Sequence, residues 1–460
     1  MITKAVLKGL GGQFATLVVH VRGAEGDEPL PYGTDRTDYA DRTGGDGGLE
    51  ARDPGRWLRR RVWRGGMVQG GWGVSMTVRA RFLVAALGLL LLATAGCSTG
   101  PSGEAYLYVA VPLTGDMASR GQEVAGGVRL RADEVNREGG VLGKKVVVRA
   151  LDDGGDEEMA AEAAKQVAEA LRKGEPVLGV VGHYNSGATG AALDGVYKEL
   201  DLVVVTPSST NPTLTQKGYT RFFRVCSTDD IQGPVAARKA LSMGWKKIAV
   251  FHTDNLYAQG LATAFVGGLK QQGVEATIQQ EMKYNDLGVF LRELPAKVTR
   301  ALDTKPDAVF FAGDYPEGIP LVETLRSAGF AGGFMTGDSM VEYEFIDVLG
   351  SKAEGAIISN TQPEMMAVAT EDWKSAYRNL EKRSPGMDSI TGHAAAQVLL
   401  EGVKKANTAK GSAVADAVRQ LELKTIVGNW ATDAKGDMRE RKIYLYQVRD
   451  GRFEQIGEEK

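Results

Sequence analysis

Two short segments rich in serine and threonine have the composition of an anion-binding turn. Ser186 and Thr189 lie at the predicted start of a helix, directly after an apolar run. The second segment, 206–212 (Thr-Pro-Ser-Ser-Thr-Asn-Pro), follows the next apolar run. Hydroxyl groups beside the free N–H groups of a helix start can hold a carboxylate or a phosphate. Neither segment contains lysine or arginine, which favours a singly charged carboxylate; ordinary helix capping by the same hydroxyls is the alternative.

Fragments of catalytic and nucleotide-binding motifs are present, and each lacks an essential residue. The segment 182–189 is spaced like a phosphate-binding loop, but Ala188 occupies the lysine position. The segment 337–341 begins like a nucleophile elbow, but Val341 replaces the closing glycine. The histidines after residue 97 have no zinc-site spacing: His183, His252 and His393. We therefore expect binding without catalysis, and neither a metal nor a cofactor.

Apolar runs alternate with amphipathic stretches from residue 105 onward. The predicted strands are 105–111, 145–151, 177–181, 202–206, 247–251 and 308–312, and the predicted helices are 121–137, 157–171, 188–198, 259–272 and 319–328. This alternation predicts an α/β fold with doubly wound parallel sheets. The pattern restarts after Cys226, which predicts two lobes with a ligand in the cleft at the carboxyl ends of the strands.

Charge and cysteine content restrict the partners of the chain. Residues 1–96 hold 13 basic and 9 acidic residues, and the whole chain has a net charge of −3, so residues 97–460 carry −7. This mild acidity argues against nucleic acid and against a polybasic membrane patch. Cys226 is the only cysteine after Cys97, so that part of the chain can form no disulfide of its own.

An apolar run of 12 residues, 82–93, precedes the first cysteine. It is too short for a membrane-spanning helix, which needs about 20 residues. Arg79 and Arg81 precede it and the small pair Ala95-Gly96 follows, the order of a secretory signal. We therefore expect residues 76–96 to be a signal peptide.

The cysteine that follows this signal resembles the lipidated cysteine of a bacterial lipobox. The resemblance implies a lipid on Cys97, although Thr94 stands where that motif usually has an aliphatic residue. Residues 97–103 would then be a polar tether. Translation from Met76 would make residues 1–75 an artefact of start assignment; a disordered basic arm that binds nucleic acid is the alternative.

Five motifs occur in a fixed order along residues 104–460. They are Pro-Leu-Thr-Gly (112–115), Asn-Arg-Glu-Gly-Gly-Val-Leu-Gly (136–143), Gly-His-Tyr-Asn-Ser (182–186), Thr-Asn-Pro-Thr-Leu-Thr (210–215) and Gly-Asp-Tyr-Pro-Glu (313–317). In this order they resemble the branched-chain amino acid type of periplasmic binding protein, the family of the leucine/isoleucine/valine-binding protein. The resemblance implies a type 1 periplasmic binding fold. Its lobe I would be 104–226 and 360–438, and its lobe II would be 227–359 and 439–460, joined by crossover hinge segments.

The resemblance also implies which residues hold a ligand. Ser186, the backbone at Ser208, and Thr210 would bind an α-carboxylate. Asp229 would bind the α-ammonium, and its alternative role is to cap the following helix.

From lobe II, the resemblance implies that Tyr257, Tyr315 and Asp338 close over the ligand. Asp338 stands where the family commonly has glutamate, which gives a shorter reach to the ammonium. Packing across a lobe edge is the alternative for both tyrosines.

Arg120 departs from the family pattern, because relatives for aliphatic ligands often have an aromatic residue at this position of the side-chain pocket. A guanidinium facing the pocket would disfavour leucine and favour a polar or acidic side chain. Exposure to solvent is the alternative for this arginine. Asn185 replaces a cysteine of the disulfide found in some relatives.

The resemblance implies an exported, lipid-anchored substrate-binding protein of an ABC importer that takes a small amino acid, branched-chain or related. Its partners would be the permease and ATPase subunits, and we expect a monomer. A ligand sensor of the same fold that signals to a partner protein is the alternative.

Overall fold

The computed structural model describes residues 2–8, 14–20, 102–283 and 287–459. The predicted signal peptide and Cys97 lie outside these residues. The chain divides into two compact units, Met1–Leu92 and Ala93–Lys460. In the first unit, β1 (Ile2–Lys8) and β2 (Phe14–His20) pair antiparallel, an arrangement that was not predicted.

A five-stranded parallel sheet forms the first half of the second unit, in the spatial order β4-β3-β5-β6-β7. Its strands are β3 (Glu104–Val111), β4 (Lys145–Asp152), β5 (Val177–Gly182), β6 (Val204–Thr206) and β7 (Phe222–Arg224). The connecting helices are α1 (Ala118–Arg137), α2 (Glu157–Arg172), α3 (Ser186–Gly195) and α4 (Thr213–Gln216). Every residue of β5 and β6 is buried, as expected for a parallel sheet covered on both faces.

A seven-stranded sheet forms the second lobe, in the order β16-β15-β12-β11-β10-β8-β9. Its first strands are β8 (Ile248–Thr253), β9 (Ile278–Met282), β10 (Ala308–Ala312), β11 (Gly333–Thr336) and β12 (Ile357–Asn360). Its helices are α5 (Asp229–Ser242), α6 (Leu256–Gln271), α7 (Leu287–Asp303), α8 (Tyr315–Ser327) and α9 (Tyr343–Leu349). A short 3-10 helix, Asp338–Met340, follows β11.

The chain then returns to the first lobe before its last two strands complete the second sheet. The returning elements are α10 (Met365–Val368), α11 (Glu371–Glu381), α12 (Met387–Ala406), α13 (Gly411–Val418), β13 (Leu423–Thr425) and β14 (Gly428–Trp430). The last strands are β15 (Ile443–Arg449) and β16 (Arg452–Glu459). The chain therefore crosses between the sheets three times, at 225–228, 361–364 and 431–442, and residues of all three crossings line a cavity of about 210 Å³.

The predicted strands are confirmed within two residues at each end, and the predicted helices within four. One expectation was wrong, since the second sheet is mixed. β15 pairs antiparallel with both β12 and β16. The β15–β16 pairing is antiparallel because Asp450 and Gly451 join the two strands directly in a hairpin, and β15 runs opposite to β12 after the chain has returned from the first lobe. Among the residues that the structure describes, no helix is both long and apolar enough to span a membrane.

Two glycines allow α1 and α12 to pack backbone against backbone. A Cβ on Gly127 would lie 2.0 Å from the carbonyl oxygen of Ser389, and a Cβ on Gly392 would lie 2.2 Å from that of Val124. This close approach brings the first turns of the two helices together, so that Arg120 of α1 meets Asp388 of α12.

We predict that Gly392→Ala lowers the free energy of unfolding by about 1–3 kcal/mol, because the new methyl group meets a backbone carbonyl that cannot move independently of α1. Gly267→Ala in α6 is the control, since no atom lies within 4 Å of the position that its new methyl group would take. That change is expected to raise stability by about 0.5–1 kcal/mol. Urea denaturation measures both, and equal effects would contradict the packing argument.

Candidate functional site

The two hydroxyl-rich turns lie side by side at the carboxyl ends of β5 and β6. Ser186 is the first residue of α3, and its Oγ accepts a hydrogen bond from the backbone N–H of Asn211 at 3.3 Å. The hydroxyls of Thr189 and Ser209 are 2.6 Å apart, which ties the same turns together a second time. The parallel order of the strands therefore brings together two segments that are 20 residues apart in sequence.

Within these turns, Thr210 is better placed for a ligand than the backbone of Ser208. The Thr210 hydroxyl is buried and has no hydrogen-bond partner in the described part of the chain. The Ser208 N–H already donates to Thr206 Oγ1 at 3.3 Å, while its side chain lies within hydrogen-bonding reach of Tyr184. Ser208 can therefore serve through its hydroxyl more readily than through its N–H.

Asp229 is a fully buried carboxylate at the start of α5. It is 0% exposed, and neither of its carboxylate oxygens has a well-formed hydrogen bond with a described residue, although the Thr210 hydroxyl lies close enough to lower its pKa. Its side chain therefore does not cap the helix, which was the alternative role. Burial, followed by the charge of Asp338, raises the pKa of Asp229 well above its usual range. Such a group is stabilised only by taking up a proton or a cation.

Asp338 is the second carboxylate of the site and is held in place from its own lobe. Its Oδ1 accepts hydrogen bonds from the Tyr257 hydroxyl and from Gln232 Nε2, both at 2.9 Å. Burial raises the pKa of this half-buried Asp338, while the two donors act in the opposite direction. Tyr257 thus orients Asp338, and Gln232, one turn after Asp229 on α5, is a site residue that the sequence did not reveal.

Tyr315 joins the two lobes. It begins α8, and its hydroxyl donates to the backbone carbonyl of Asp116, which lies before α1 in the first lobe. Its ring centroid is 5.7 Å from the Arg120 guanidinium carbon. The structure therefore places Tyr315 across the lobe edge, where it is buried and not exposed, and its contact with a ligand stays a prediction.

Arg120 lies in the first turn of α1 and is only 3% exposed, so the alternative that it points to solvent was wrong. Its guanidinium bridges the lobes with four of the five N–H donors of an arginine. Nη1 donates to Tyr184 Oη (3.3 Å) and Asp388 Oδ2 (2.9 Å), and Nη2 donates to the carbonyl oxygens of Ser339 (3.0 Å) and Val341 (2.9 Å). Nε lies 3.4 Å from Glu342 Oε2 as an ion pair.

Asp388 and Glu342, the anionic partners of Arg120, were missed by sequence reasoning. Asp388 is 268 positions from Arg120, and no local pattern connects them. Tyr184 also donates to Asp388, at 3.2 Å, so that all three first-lobe side chains form one network.

The site is in a closed arrangement, with the lobes joined by hydrogen bonds at separate points. Besides the Arg120 and Tyr315 contacts, Asn211 Nδ2 of the first lobe donates to the carbonyl of Leu256 in the second at 2.7 Å. Hydroxyl groups on one side and Asp229 with Asp338 on the other make a site for a zwitterion, with a carboxylate at one end and an ammonium at the other.

His183 is the only histidine in these turns, and it supports the strand end. Its Nδ1 lies 2.7 Å from Asp153 Oδ2, its Nε2 lies 3.3 Å from the Tyr197 hydroxyl, and both the ring and Asp153 are completely buried. Across the described ranges, no cluster of three or more histidine, cysteine or acidic residues is arranged to hold a metal ion.

Comparison with known proteins shows which family this chain matches. Residues 109–452 match the family model described as periplasmic binding protein. The Leu/Ile/Val-binding protein BraC3 of Rhizobium johnstonii is 31% identical over 376 residues, covering 81% of this chain and 96% of that relative.

Two solved structures are similar in fold. The leucine binding protein LivK of Thermotoga maritima has a TM-score of 0.68 at 26% identity, covering 77% of this chain and 98% of that one. A solute binding protein of an ABC transporter from R. palustris, in complex with benzoate, has a TM-score of 0.68 at 16% identity, covering 77% of this chain and 96% of its own. These matches confirm the predicted fold.

We predict that Asp229→Asn stabilises the ligand-free protein at pH 8 by about 1–3 kcal/mol, because it removes a buried charge whose burial the Thr210 hydroxyl alone does not offset. The raised pKa means that the folded protein binds the proton more tightly than the unfolded chain. The destabilisation therefore grows as the pH rises from the normal aspartate range through the raised pKa, and it is absent at pH 3.

Denaturant unfolding at pH 3 and pH 8 measures this difference. Asp230→Asn is the matched control, because Asp230 is the next residue of α5 and is exposed. If Asp229→Asn is less stable than the wild-type protein at pH 8, the buried carboxylate has a protein partner after all.

Proposed function

Because the chain belongs to the periplasmic binding protein family, we propose that it is the substrate-binding protein of an ABC importer and that its ligand is an α-amino acid. The resemblance found in the sequence is thereby confirmed at the level of the family. The family supports a role in substrate binding outside the cytoplasm, and relatives named for leucine, isoleucine and valine support an amino acid as the ligand.

The observation that carries the proposal is the carboxylate of Asp229, which forms no ion pair with a described residue and is buried at the lobe junction within electrostatic reach of Asp338. Arg224 and Arg120 lower the pKa values of Asp229 and Asp338 from a distance, but neither carboxylate forms an ion pair with a described residue. Two such carboxylates form a site for an ammonium group. The α-ammonium of an amino acid has three donors, which suit both oxygens of Asp229 and one of Asp338. This contact offsets the charge that the site buries when the lobes close.

The carboxylate of the ligand would lie at the hydroxyl turns of the first lobe. Ser186 and Thr210 supply hydroxyls, Ser208 supplies a third, and the first turn of α3 adds its unpaired N–H groups. Charge-assisted hydrogen bonds contribute roughly 1.5–3 kcal/mol each, so a few of them reach the approximately −8 kcal/mol of a micromolar complex.

The mechanism consists of binding and closure, without a chemical step. An open form takes the zwitterion on the first lobe, and rotation about the three crossings brings Asp338 and Tyr257 over it. The ammonium then neutralises Asp229 and Asp338, which closure would otherwise bury as two uncompensated charges. The closed shape is the form that the permease would recognise, as the substrate is handed over unchanged.

We predict that calorimetric titration of residues 104–460, refolded to remove co-purified ligand, gives micromolar binding of at least one α-amino acid. Asp229→Asn should weaken that binding by roughly 10- to 100-fold, because a neutral amide replaces the charged partner of the ammonium. Asp230→Asn, on the exposed side of the same helical turn, should bind as the wild-type protein does.

The des-amino analogue of the preferred amino acid provides a second control and should bind poorly to the wild-type protein. Failure of every α-amino acid to bind, or equal binding of the des-amino analogue, would contradict the proposal.

The anchor of the protein is the second part of the proposal. Cys97, after the apolar run 82–93, would carry a diacylglycerol group that holds the folded unit at the membrane surface through residues 97–103. A single lipid-modified cysteine at this position accounts for the order of basic, apolar and small residues that precedes it.

For a chain expressed in bacteria from Met76, we predict incorporation of an alkyne fatty acid and recovery in the membrane fraction. Cys97→Ala should abolish both the label and the membrane association. Cys226→Ala should retain both, because Cys226 is buried in the first crossing. A label that persists in Cys97→Ala, or no label in the wild-type protein, would exclude the lipid anchor.

A further inference from the structure

The Arg120 guanidinium joins the two turns that contain residues proposed to hold the ligand. Tyr184, which it contacts, is two residues before Ser186, and Ser339, whose carbonyl it also contacts, directly follows Asp338. The guanidinium therefore lies beside the cleft where the side chain of a bound amino acid must leave its Cα. This position makes Arg120 part of the wall that the ligand side chain meets.

Nε is the only Arg120 donor without a hydrogen bond to a described residue, and it is turned toward Glu342 and not toward the cleft. Both hydrogens on Nη1 and both on Nη2 are already directed at protein oxygens, and Nε faces Glu342. Its charge is balanced by Asp388 and Glu342 within 3.4 Å. The sequence had suggested that this arginine favours a polar or acidic ligand side chain, and the structure argues against the acidic one, because Asp388 and Glu342 already neutralise the guanidinium.

The surroundings of Arg120 hold more acid than base. Glu123, one turn further along α1, accepts a hydrogen bond from the Asp388 N–H at 3.1 Å. Burial, followed by the charges of Asp388 and Glu342, raises the pKa of Glu123 to about 8. Three carboxyl groups surround one guanidinium, so this wall already holds more acidic groups than it can neutralise. A further carboxylate from a ligand would therefore be repelled.

Arg120 also restricts the length of the ligand side chain. It reaches from α1 of the first lobe to the main-chain carbonyls of Ser339 and Val341 in the second, and so it crosses the cleft. A branched aliphatic side chain would have to displace these hydrogen bonds or bury its methyl groups against charged atoms. Both cost free energy, because the displaced polar atoms would remain buried without partners.

We propose, building on the amino-acid binding function above, that Arg120 is a specificity-determining residue that restricts the site to amino acids with short, uncharged side chains such as serine, threonine or alanine. Branched-chain aliphatic and acidic amino acids are excluded by the crossing guanidinium and by the excess of carboxylates around it. In this respect the chain departs from the relatives named for leucine, isoleucine and valine.

Competition calorimetry on the refolded wild-type protein tests this proposal with serine, threonine, alanine, leucine and glutamate. At least one of the short amino acids is expected to bind about tenfold or more tightly than leucine and glutamate. A wild-type preference for leucine or glutamate would overturn the proposal and leave the amino-acid binding function intact. Binding of none of these ligands or of any other α-amino acid would overturn both.

Two variants separate the size effect from the charge effect. Arg120→Leu should raise the affinity for leucine relative to serine by about tenfold, as it replaces the crossing guanidinium with an apolar side chain. Arg129→Leu is its control on the same helix, since Arg129 pairs with Glu381 outside this network. An unchanged ratio in Arg120→Leu would overturn the role of Arg120.

Glu342→Gln removes one carboxylate from the more exposed side of the network. This variant allows the proposal to be tested even if Arg120→Leu is unstable. It should improve the affinity for glutamate relative to serine by several-fold, with a smaller gain at high salt. A purely structural role of the network would change all affinities equally, so a ratio that does not move would overturn the charge argument.

Discussion

The carboxylate of Asp229 is enclosed at the junction of two lobes, and the Thr210 hydroxyl is the only described side-chain donor that acts on it. Asp338 lies on the same lobe, and closure takes both carboxylates out of water, so that their like charges oppose one another more strongly. Hydrogen bonds from Arg120, Asn211 and Tyr315 to the opposite lobe act in the other direction. The position of the open–closed equilibrium therefore depends on whether a cation occupies the space between the two acids, which is how ligand binding becomes a change of shape.

The two lobes contribute different groups to the site, and this difference follows from the parallel sheets. Strand ends of the first sheet present hydroxyls and helix N–H groups without a formal charge, whereas the second lobe presents Asp338, already oriented by Tyr257 and Gln232. Because these two donors belong to the lobe that moves, Asp338 keeps its orientation throughout closure. The first lobe can therefore bind a ligand weakly while the cleft is open, and the second lobe adds the stronger charged contact only when the cleft closes.

The alternation of strands and helices and the hydroxyl turns could be predicted because they depend on local periodicity and composition. The helix starts were placed too late, although Asn255, whose side chain accepts from the Ala258 N–H, was a capping signal for the true start of α6. The Asp450-Gly451 pair was likewise a hairpin signal for the antiparallel edge. The pairing of Arg120 with Asp388 could not be predicted, because it arises from two helices that are adjacent only in the folded protein.

Three crossings at 225–228, 361–364 and 431–442 connect the sheets, and a cavity lies beside them. A single crossing would allow the lobes to twist, slide and bend relative to each other, and each further crossing removes some of these motions. With three, the relative motion is reduced largely to bending about a single axis, for which the cavity leaves room. Binding of a ligand in the cleft therefore changes mainly one quantity, the angle between the lobes. A partner that contacts both lobe tips at once can bind selectively at one value of that angle without touching the ligand.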